Sequence, residues 1–297
     1  MLKTRENRRY QILCNTVLAL ITVFMIFPFV LLFMSSITEE NTLIMNGYSL
    51  FPEKFSLGAY QYIFQNGKKI FHAYGVTIFV TVVGTAINLW ISSMLAFGLS
   101  RKNLPFRRII TFYVFFTMLF NGGLVPTYMM YTGTFHIKNT IFAMIVPNLL
   151  MSAVNVLLVR TYFTNSIPDA LYEAAEIDGA GQMRIYFQVA LPLGKPILVT
   201  TGLFAALGYW NDWTNGLYYV NQEQFWGIQN LLNKMISDVQ ALTSGLMSRE
   251  MAGMIATMPS VSVRMAIAFV AMLPILVVYP FLQKYFAEGI AMGAVKG

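Results

Sequence analysis

Asp169, Glu173, Glu176 and Asp178 crowd four carboxylates into one short stretch, in a chain with only 13 acidic residues among 297. The same stretch holds Ala170, Ala174 and Ala175, and ends in Gly179. Carboxylates at this density either trade protons in a reactive site or pair with cations on another surface. Proton chemistry needs a second reactive group at the same depth, and the two histidines, His72 and His136, stand elsewhere without a reactive neighbour in sequence. Pairing is the better reading. A helix resting on lipid headgroups would carry lysines on one face and bulky apolar residues on the other. Acids with small alanines suit close docking in a groove of a partner protein.

A second set of polar residues lies inside long apolar runs: Asn121, Asn148, and the neighbours Trp210, Asn211 and Asp212, with Trp213 behind them. An aspartate near the centre of a membrane helix costs ~2.5–3.5 kcal/mol to insert, so Asp212 is expected to face a wet cavity or a polar partner. Amides supply the paired donors and acceptors that sugar hydroxyls need, and indole faces stack on pyranose C–H surfaces. Interhelical asparagines also serve as packing contacts worth ~0.6 kcal/mol on average, and tryptophan anchors membrane interfaces. Both readings stay open for this set.

Other chemistries find no residues. No G-x-x-x-x-G-K-[ST] phosphate loop occurs, because Gly194-Lys195 lacks both the upstream glycine and the hydroxyl residue, so no ATP, Mg or other cofactor is expected on this chain. No metal-ligand cluster or catalytic triad appears. The single cysteine, Cys14, precedes the first apolar run and builds neither a disulfide framework nor a lipoprotein cleavage site.

These residues need elements to hold them. A chain that is 57% hydrophobic and 11% charged cannot hide its apolar surface in a water-soluble core. Six runs, 13–34, 73–98, 109–131, 139–159, 196–217 and 264–283, are long enough to cross a hydrocarbon layer of roughly 30 Å as helices. With an inward N-terminus, inside segments hold 13 lysines and arginines against 7 outside, which favours both termini in the cytoplasm. The net charge of +7 is then a topology signal. It does not point to nucleic acid, because the cations flank spans instead of forming one face. The first run is too long for a cleaved leader and is read as a retained span.

The acidic stretch lies between the fourth and fifth runs. Ser166 and Asp169 form a capping-box variant around Pro168, and Asp169 and Glu173 sit near the positive end of the helix dipole. Gly179 is expected to turn left-handed and end this helix, and a second short helix over 182–190 is expected to stop before Pro192. Pro147, Pro274 and Pro280 are expected to break or kink their spans.

Glu173, Ala174, Ala175, Gly179, Leu191 and Pro192 stand at the spacing of the EAA loop in permease subunits of ABC importers, with Val189 in its aliphatic slot. The chain resembles the binding-protein-dependent carbohydrate permeases of the maltose type over nearly its whole length. The resemblance implies an all-α, six-helix membrane fold of the type I importer class, with a cytoplasmic coupling helix that docks on an ATP-hydrolysing subunit. Glu173, Ala174, Ala175, Asp178, Gly179, Leu191 and Pro192 are then the coupling residues. It also implies a homologous second permease, two ATPase subunits holding ATP and Mg, an extracellular sugar-binding protein, and a place in the bacterial plasma membrane. This chain is then a transport subunit and not an enzyme.

On that pattern residues 1–297 are one transmembrane domain with a core at 70–285, a coupling loop at 161–194, external loops at 35–72 and 218–263, and a tail at 284–297. The later external loop resembles the segment that reaches into the docked binding protein, and the tail resembles one that lies between the ATPases. N-G-G-L-V-P-T-Y at 121–128 and G-A-V-K-G at the end resemble the subgroup carrying oligosaccharides or sugar-acid oligomers. The EAA loop is shared with peptide and amino-acid permeases, so a non-sugar cargo stays open. A secondary transporter would need charged relays inside several spans, and a membrane enzyme paired acids or histidines at one depth.

Overall fold

The computed structural model describes residues 5–65, 67–243 and 261–294. Part of the expected external loop, 244–260, and the end of the tail, Val295, Lys296 and Gly297, lie outside the described residues. The described chain is mostly helical, and its only β pairing among the described residues is an isolated bridge between Thr38 and Phe55. In chain order the helices are α1 (Arg5–Ser36), α2 (Glu40–Asn46), α3 (Gly58–Gln65), α4 (Gly67–Ser100), α5 (Arg107–Leu119) and α6 (Leu124–Met129). There follow α7 (Phe142–Ile145), α8 (Ala153–Ser166), α9 (Asp169–Ile177), α10 (Gln182–Ile185), α11 (Leu191–Leu193), α12 (Lys195–Trp210), α13 (Thr214–Tyr219), α14 (Ile228–Thr243) and α15 (Val261–Ala294). Wider π turns extend α6 over Met130–Thr134 and join α10 to α11 over Tyr186–Ala190.

The chain forms two compact units, 1–70 with 232–274, and 71–231 with 275–297. In the first, the apolar stretch Tyr10–Ser36 of α1 buries none of its most apolar window against the chain. Its end is tied down by Ser36 Oγ, which meets the Tyr60 hydroxyl at 2.8 Å, and by Phe33 against Phe269 at 4.9 Å between ring centres. The Glu40 carboxylate accepts from the backbone N–H groups of Val261 and Ser262, both at 2.8 Å, and from Ser262 Oγ at 2.6 Å. An acid there satisfies orphan donors at the positive end of α15.

In the second unit, α4 and α12 approach closely because glycine meets a large side chain twice. A Cβ at Gly84 would lie 2.5 Å from the Tyr209 ring, and one at Gly202 would lie 2.9 Å from Leu89 Cδ1. Small residues opposite large ones are how membrane helices gain contact without a hydrophobic driving force. One buried cluster gathers around Phe97, Val156, Phe163, Ile185 and Tyr186, and another around Val80, Met144, Ile145, Tyr209 and Tyr219.

The expected runs 13–34, 73–98 and 264–283 each fall within one helix, α1, α4 and α15. The other three are broken. The run 109–131 bends by 113° between α5 and α6, where Asn121, Gly122 and Gly123 intervene and Gly123 takes φ +84°. The run 139–159 is only the single turn α7, an irregular stretch at 146–152 around Pro147 and Asn148, and then α8. The run 196–217 ends at Trp210 and restarts as α13. Apolar length alone does not reveal such breaks, because glycine, proline and asparagine interrupt a helix without lowering its hydrophobicity much.

Candidate functional site

Helix α9 is short, and its two ends are fixed by different chemistry. Pro168 precedes it in an extended conformation (φ −60°, ψ 133°), and no side chain caps the start. The expected capping box from Ser166 is not formed, because Ser166 is still the last residue of α8. At the other end, Gly179 takes φ +77° as expected. Its N–H donates to Glu176 O at 3.0 Å, and the Ala180 N–H donates to Ala175 O at 2.9 Å. That pair of bonds is a Schellman closure, which requires the left-handed residue that glycine supplies at least cost.

The helix expected to stop before Pro192 instead runs through it to Leu193. Proline removes one N–H and would clash with the carbonyl four residues back in a regular α-helix. The π turn over Tyr186–Ala190 lies directly before it, with the Leu191 N–H reaching back to Tyr186 O. The wider turn accommodates the ring, so Pro192 ends no helix. The stop is at Gly194, where the chain bends by 83° into α12. A Cβ at Gly194 would stand 2.5 Å from Phe163 Cε1 and 2.8 Å from Ala190 O, so the bend depends on its absence.

The acids divide by pairing. Asp169 Oδ2 accepts from Lys102 Nζ at 2.6 Å, and Glu176 Oε1 accepts from Arg101 at 2.6 Å and from Gln182 Nε2 at 3.0 Å. Between them Tyr172, 2% exposed, lies under the Arg101 guanidinium at 4.3 Å and edge-on to Phe97 at 6.1 Å. Phe97 in turn packs on Tyr186, whose hydroxyl meets Ser93 Oγ at 2.7 Å. Burial pushes the Tyr172 hydroxyl up to about 12, so it stays neutral. The Lys102 hydrogen bond and charge hold Asp169 below the usual carboxylate range, and the Gln182 bond followed by Arg101 does the same for Glu176.

Ala170, Glu173, Ala174 and Ile177 are all exposed, with Ile177 at 86%. Glu173 and Asp178 have no ion pair or hydrogen-bonding side-chain partner among the described residues. Glu173 lies one turn from both Asp169 and Glu176, so what sets it apart is the lack of a paired cation among the described residues and not its spacing. Of the expected coupling residues, Glu173, Ala174, Asp178, Gly179 and Pro192 are exposed, Ala175 and Leu191 half-buried.

The second polar set behaves differently. Asn121 Oδ1 accepts from the Gly123 N–H at 2.9 Å and shapes the break after α5. Asn211 donates to Leu207 O at 3.0 Å at the end of α12. Asp212 Oδ1 accepts from the N–H groups of Thr214 and Asn215, at 3.1 and 3.2 Å, and from Thr214 Oγ1 at 2.9 Å. The partner that Asp212 needs is therefore the start of α13. Trp210 is buried, whereas Asn121, Asn148 and Asn211 are exposed.

Three residues that apolar length did not single out converge on the irregular stretch after α7. Tyr209 donates to Ile145 O at 2.9 Å, Asn215 Nδ2 to Pro147 O at 2.9 Å, and Asn88 Nδ2 to Leu149 O at 2.7 Å. Helices α12, α13 and α4 thus each supply one donor to a carbonyl at the end of α7 or just beyond it, and Pro147 O accepts from the Leu149 N–H as well, at 2.8 Å. Non-helical backbone at membrane depth survives only with such compensation or beside water. Asn148, at φ +61°, projects from the middle of this stretch. Asn148 and the 209–215 segment are thereby brought together, whereas the bond that Asn121 makes is a local one, to the Gly123 N–H.

Residues 88–292 match the family described as binding-protein-dependent transport system inner membrane components. The chain is 36% identical over 292 residues to the polygalacturonan/rhamnogalacturonan transport system permease protein YtcP of Bacillus subtilis (strain 168), covering 98% of this chain and all of the relative. It is 34% identical to protein LplC of the same organism, over 100% of this chain and 98% of that one. A chain in the crystal structure of a bacterial ABC transporter involved in the import of the acidic polysaccharide alginate is similar in fold. The TM-score is 0.81 at 29% identity, covering 96% of this chain and 99% of the other.

Proposed function

The chain belongs to the family of binding-protein-dependent transport system inner membrane components, a permease of ABC importers, and from that premise we propose that it carries acidic oligosaccharide inward. Helix α9 is the handle of this machine. The observation that carries the reading is its division into anchored residues, the ion-paired Asp169 and Glu176 about buried Tyr172, and exposed ones that include Glu173 and Ile177. In this reading an ATPase subunit receives the exposed face and binds ATP and Mg, a second ATPase subunit completes the engine, and a homologous permease completes the pore. An extracellular binding protein delivers cargo. The excess of cations on the loops that share a side with α9 supports a cytoplasmic position for α9 and both termini.

Motion imposed on the exposed face has two routes into the spans. One runs through Tyr172 and the Arg101 pair to Phe97 and the end of α4. The other runs along α10 and α11 to the bend at Gly194 and so to α12. Both α4 and α12 supply donors to the stretch around Asn148, so displacement of either strains it. In the proposed path Asn148, Asn211 and Asn121 offer exposed amides to the passing sugar.

Acidic cargo is preferred because the relatives named above are described by polygalacturonan, rhamnogalacturonan and alginate. The test is to purify the chain with whatever co-purifies from its source membrane and assay ATP hydrolysis with galacturonic-acid oligomers, neutral oligosaccharides and peptides. Stimulation by the acidic oligomers is expected. Purification without any ATPase would sink the coupling reading, and stimulation by peptides alone would sink the cargo.

A further inference from the structure

Between α5 and α8 lies a cavity of about 1100 Å³. Lys102, Arg107, Arg108 and Arg160 line it, with Phe112 and Phe115 further along α5, and no acidic residue is among its lining. Arg107 Nε and Arg160 Nε both donate to Leu99 O, at 2.8 and 3.2 Å. One carbonyl therefore holds two guanidiniums side by side and leaves their remaining N–H groups for a ligand. Lys102 is partly neutralised by Asp169, and Arg108 is exposed. Like charges held this close repel unless an anion sits between them.

The rest of the lining defines what kind of anion. Thr111 and Thr161 are its hydroxyl residues, and both hydroxyls are spent on helix carbonyls, at 2.8 Å to Arg107 O and 2.8 Å to Leu157 O. A sugar acid would find cations for its carboxylate but few groups for its hydroxyls. A phospholipid has no such need. We propose that this cavity is a site for an anionic phospholipid, its phosphate held by Arg107, Arg108 and Arg160 and an acyl chain lying over Phe112 and Phe115. Guanidinium forks match phosphate oxygens two at a time, and basic pockets between membrane helices at headgroup depth are suited to such lipids.

The test uses the full chain in its purified complex, titrated with phosphatidylglycerol or phosphatidylcholine and read by native mass spectrometry. Retained phosphatidylglycerol is expected to exceed phosphatidylcholine. It should fall about fivefold in Arg108→Gln, near the contribution of one cation beside an anionic membrane surface, and further in Arg108→Gln with Arg160→Gln. Lys195→Gln, which removes a cation outside the cavity, should leave retention unchanged. Equal retention of the two lipids, or an equal loss in Lys195→Gln, would reduce the effect to general attraction and overturn the site. Displacement of phosphatidylglycerol by a galacturonic-acid oligomer would assign the cavity to cargo and overturn it too. Lipid retention is read without transport, so its outcome is separate from that of the coupling and cargo experiment.

Discussion

Helix α9 and the irregular stretch at 145–149 are both polar interruptions of an apolar chain, and they handle their polar groups in opposite ways. The stretch at 145–149 has three carbonyls answered from within, by Tyr209, Asn215 and Asn88. Helix α9 uses Asp169 and Glu176 to anchor itself and turns Glu173 outward. Internal satisfaction fixes a backbone in place within lipid, where an unmet carbonyl is costly. An exposed acid beside small alanines and an exposed isoleucine is, in the proposed reading, a surface kept for another protein. The contrast separates what the permease must hold from what it must offer.

The sharpest way to break the comparison is to damage only the offered face. Glu173→Lys reverses a charge that no cation among the described residues pairs with, and Gly179→Pro demands a φ near −65° where the Schellman closure needs +77°. Each is expected to abolish ATP-driven uptake in whole cells while membrane levels, followed by immunoblot, stay normal. Normal uptake by both variants would show that the exposed face is idle.

Damage to the held region should instead appear as lost stability. Asn88→Leu leaves Leu149 O without its donor, and Asn215→Leu leaves Pro147 O with only the Leu149 N–H; the cost is about 1–2 kcal/mol for the first, toward the upper end for hydrogen bonds between membrane helices, and less for the second. Thermal unfolding of the purified complex checks this, and an unchanged midpoint for both would mean that the stretch is satisfied in some other way. Asp212→Ala is expected to cost about 1 kcal/mol through loss of the cap on α13, with Asp212→Asn restoring most of it. If Asp212→Asn instead halts uptake in a stably folded complex, the carboxylate charge acts in the path and not merely as a cap.

The two regions also differ in how far the sequence reveals them. Helix α9 is local: its acids, alanines and Gly179 are contiguous, and a left-handed stop is a property of a few neighbouring residues. Its start was misread because Ser166 belongs to the preceding helix, and the proline rule failed at Pro192 because a π turn relieved the clash. The broken spans are non-local. Asn121, Asn148 and Asp212 stand out by polarity, yet nothing in their neighbourhoods says that Asn88, some sixty residues earlier, donates to Leu149 O. The division of Asp169 and Glu176 from Glu173 is not legible from helical spacing, which puts the three within one turn of each other; the cations that select two of them, Arg101 and Lys102, lie near the end of α4, far away in sequence.

The anchoring pairs give the smallest effect and a test of sign. Asp169 is held below the ordinary carboxylate range chiefly by its hydrogen bond from Lys102, and Glu176 by those from Gln182 and then Arg101. A group whose folded value is depressed adds stability above its unfolded value and loses it as pH falls through the folded one. Ordinary carboxylates titrate near 4, so neither anchor changes charge between pH 8 and about 5.5. Buried Tyr172, pushed up to about 12, does not titrate there either. ATP hydrolysis by proteoliposomes buffered across that window on the face bearing α9 should therefore show no step from these groups. Both pairs are solvent-exposed, so Lys102→Gln or Glu176→Gln should lower coupled uptake only a few-fold, far less than Glu173→Lys. A loss in Lys102→Gln as complete as in Glu173→Lys would mean that the anchored face also meets the partner, and the division of α9 into two faces would have to be abandoned.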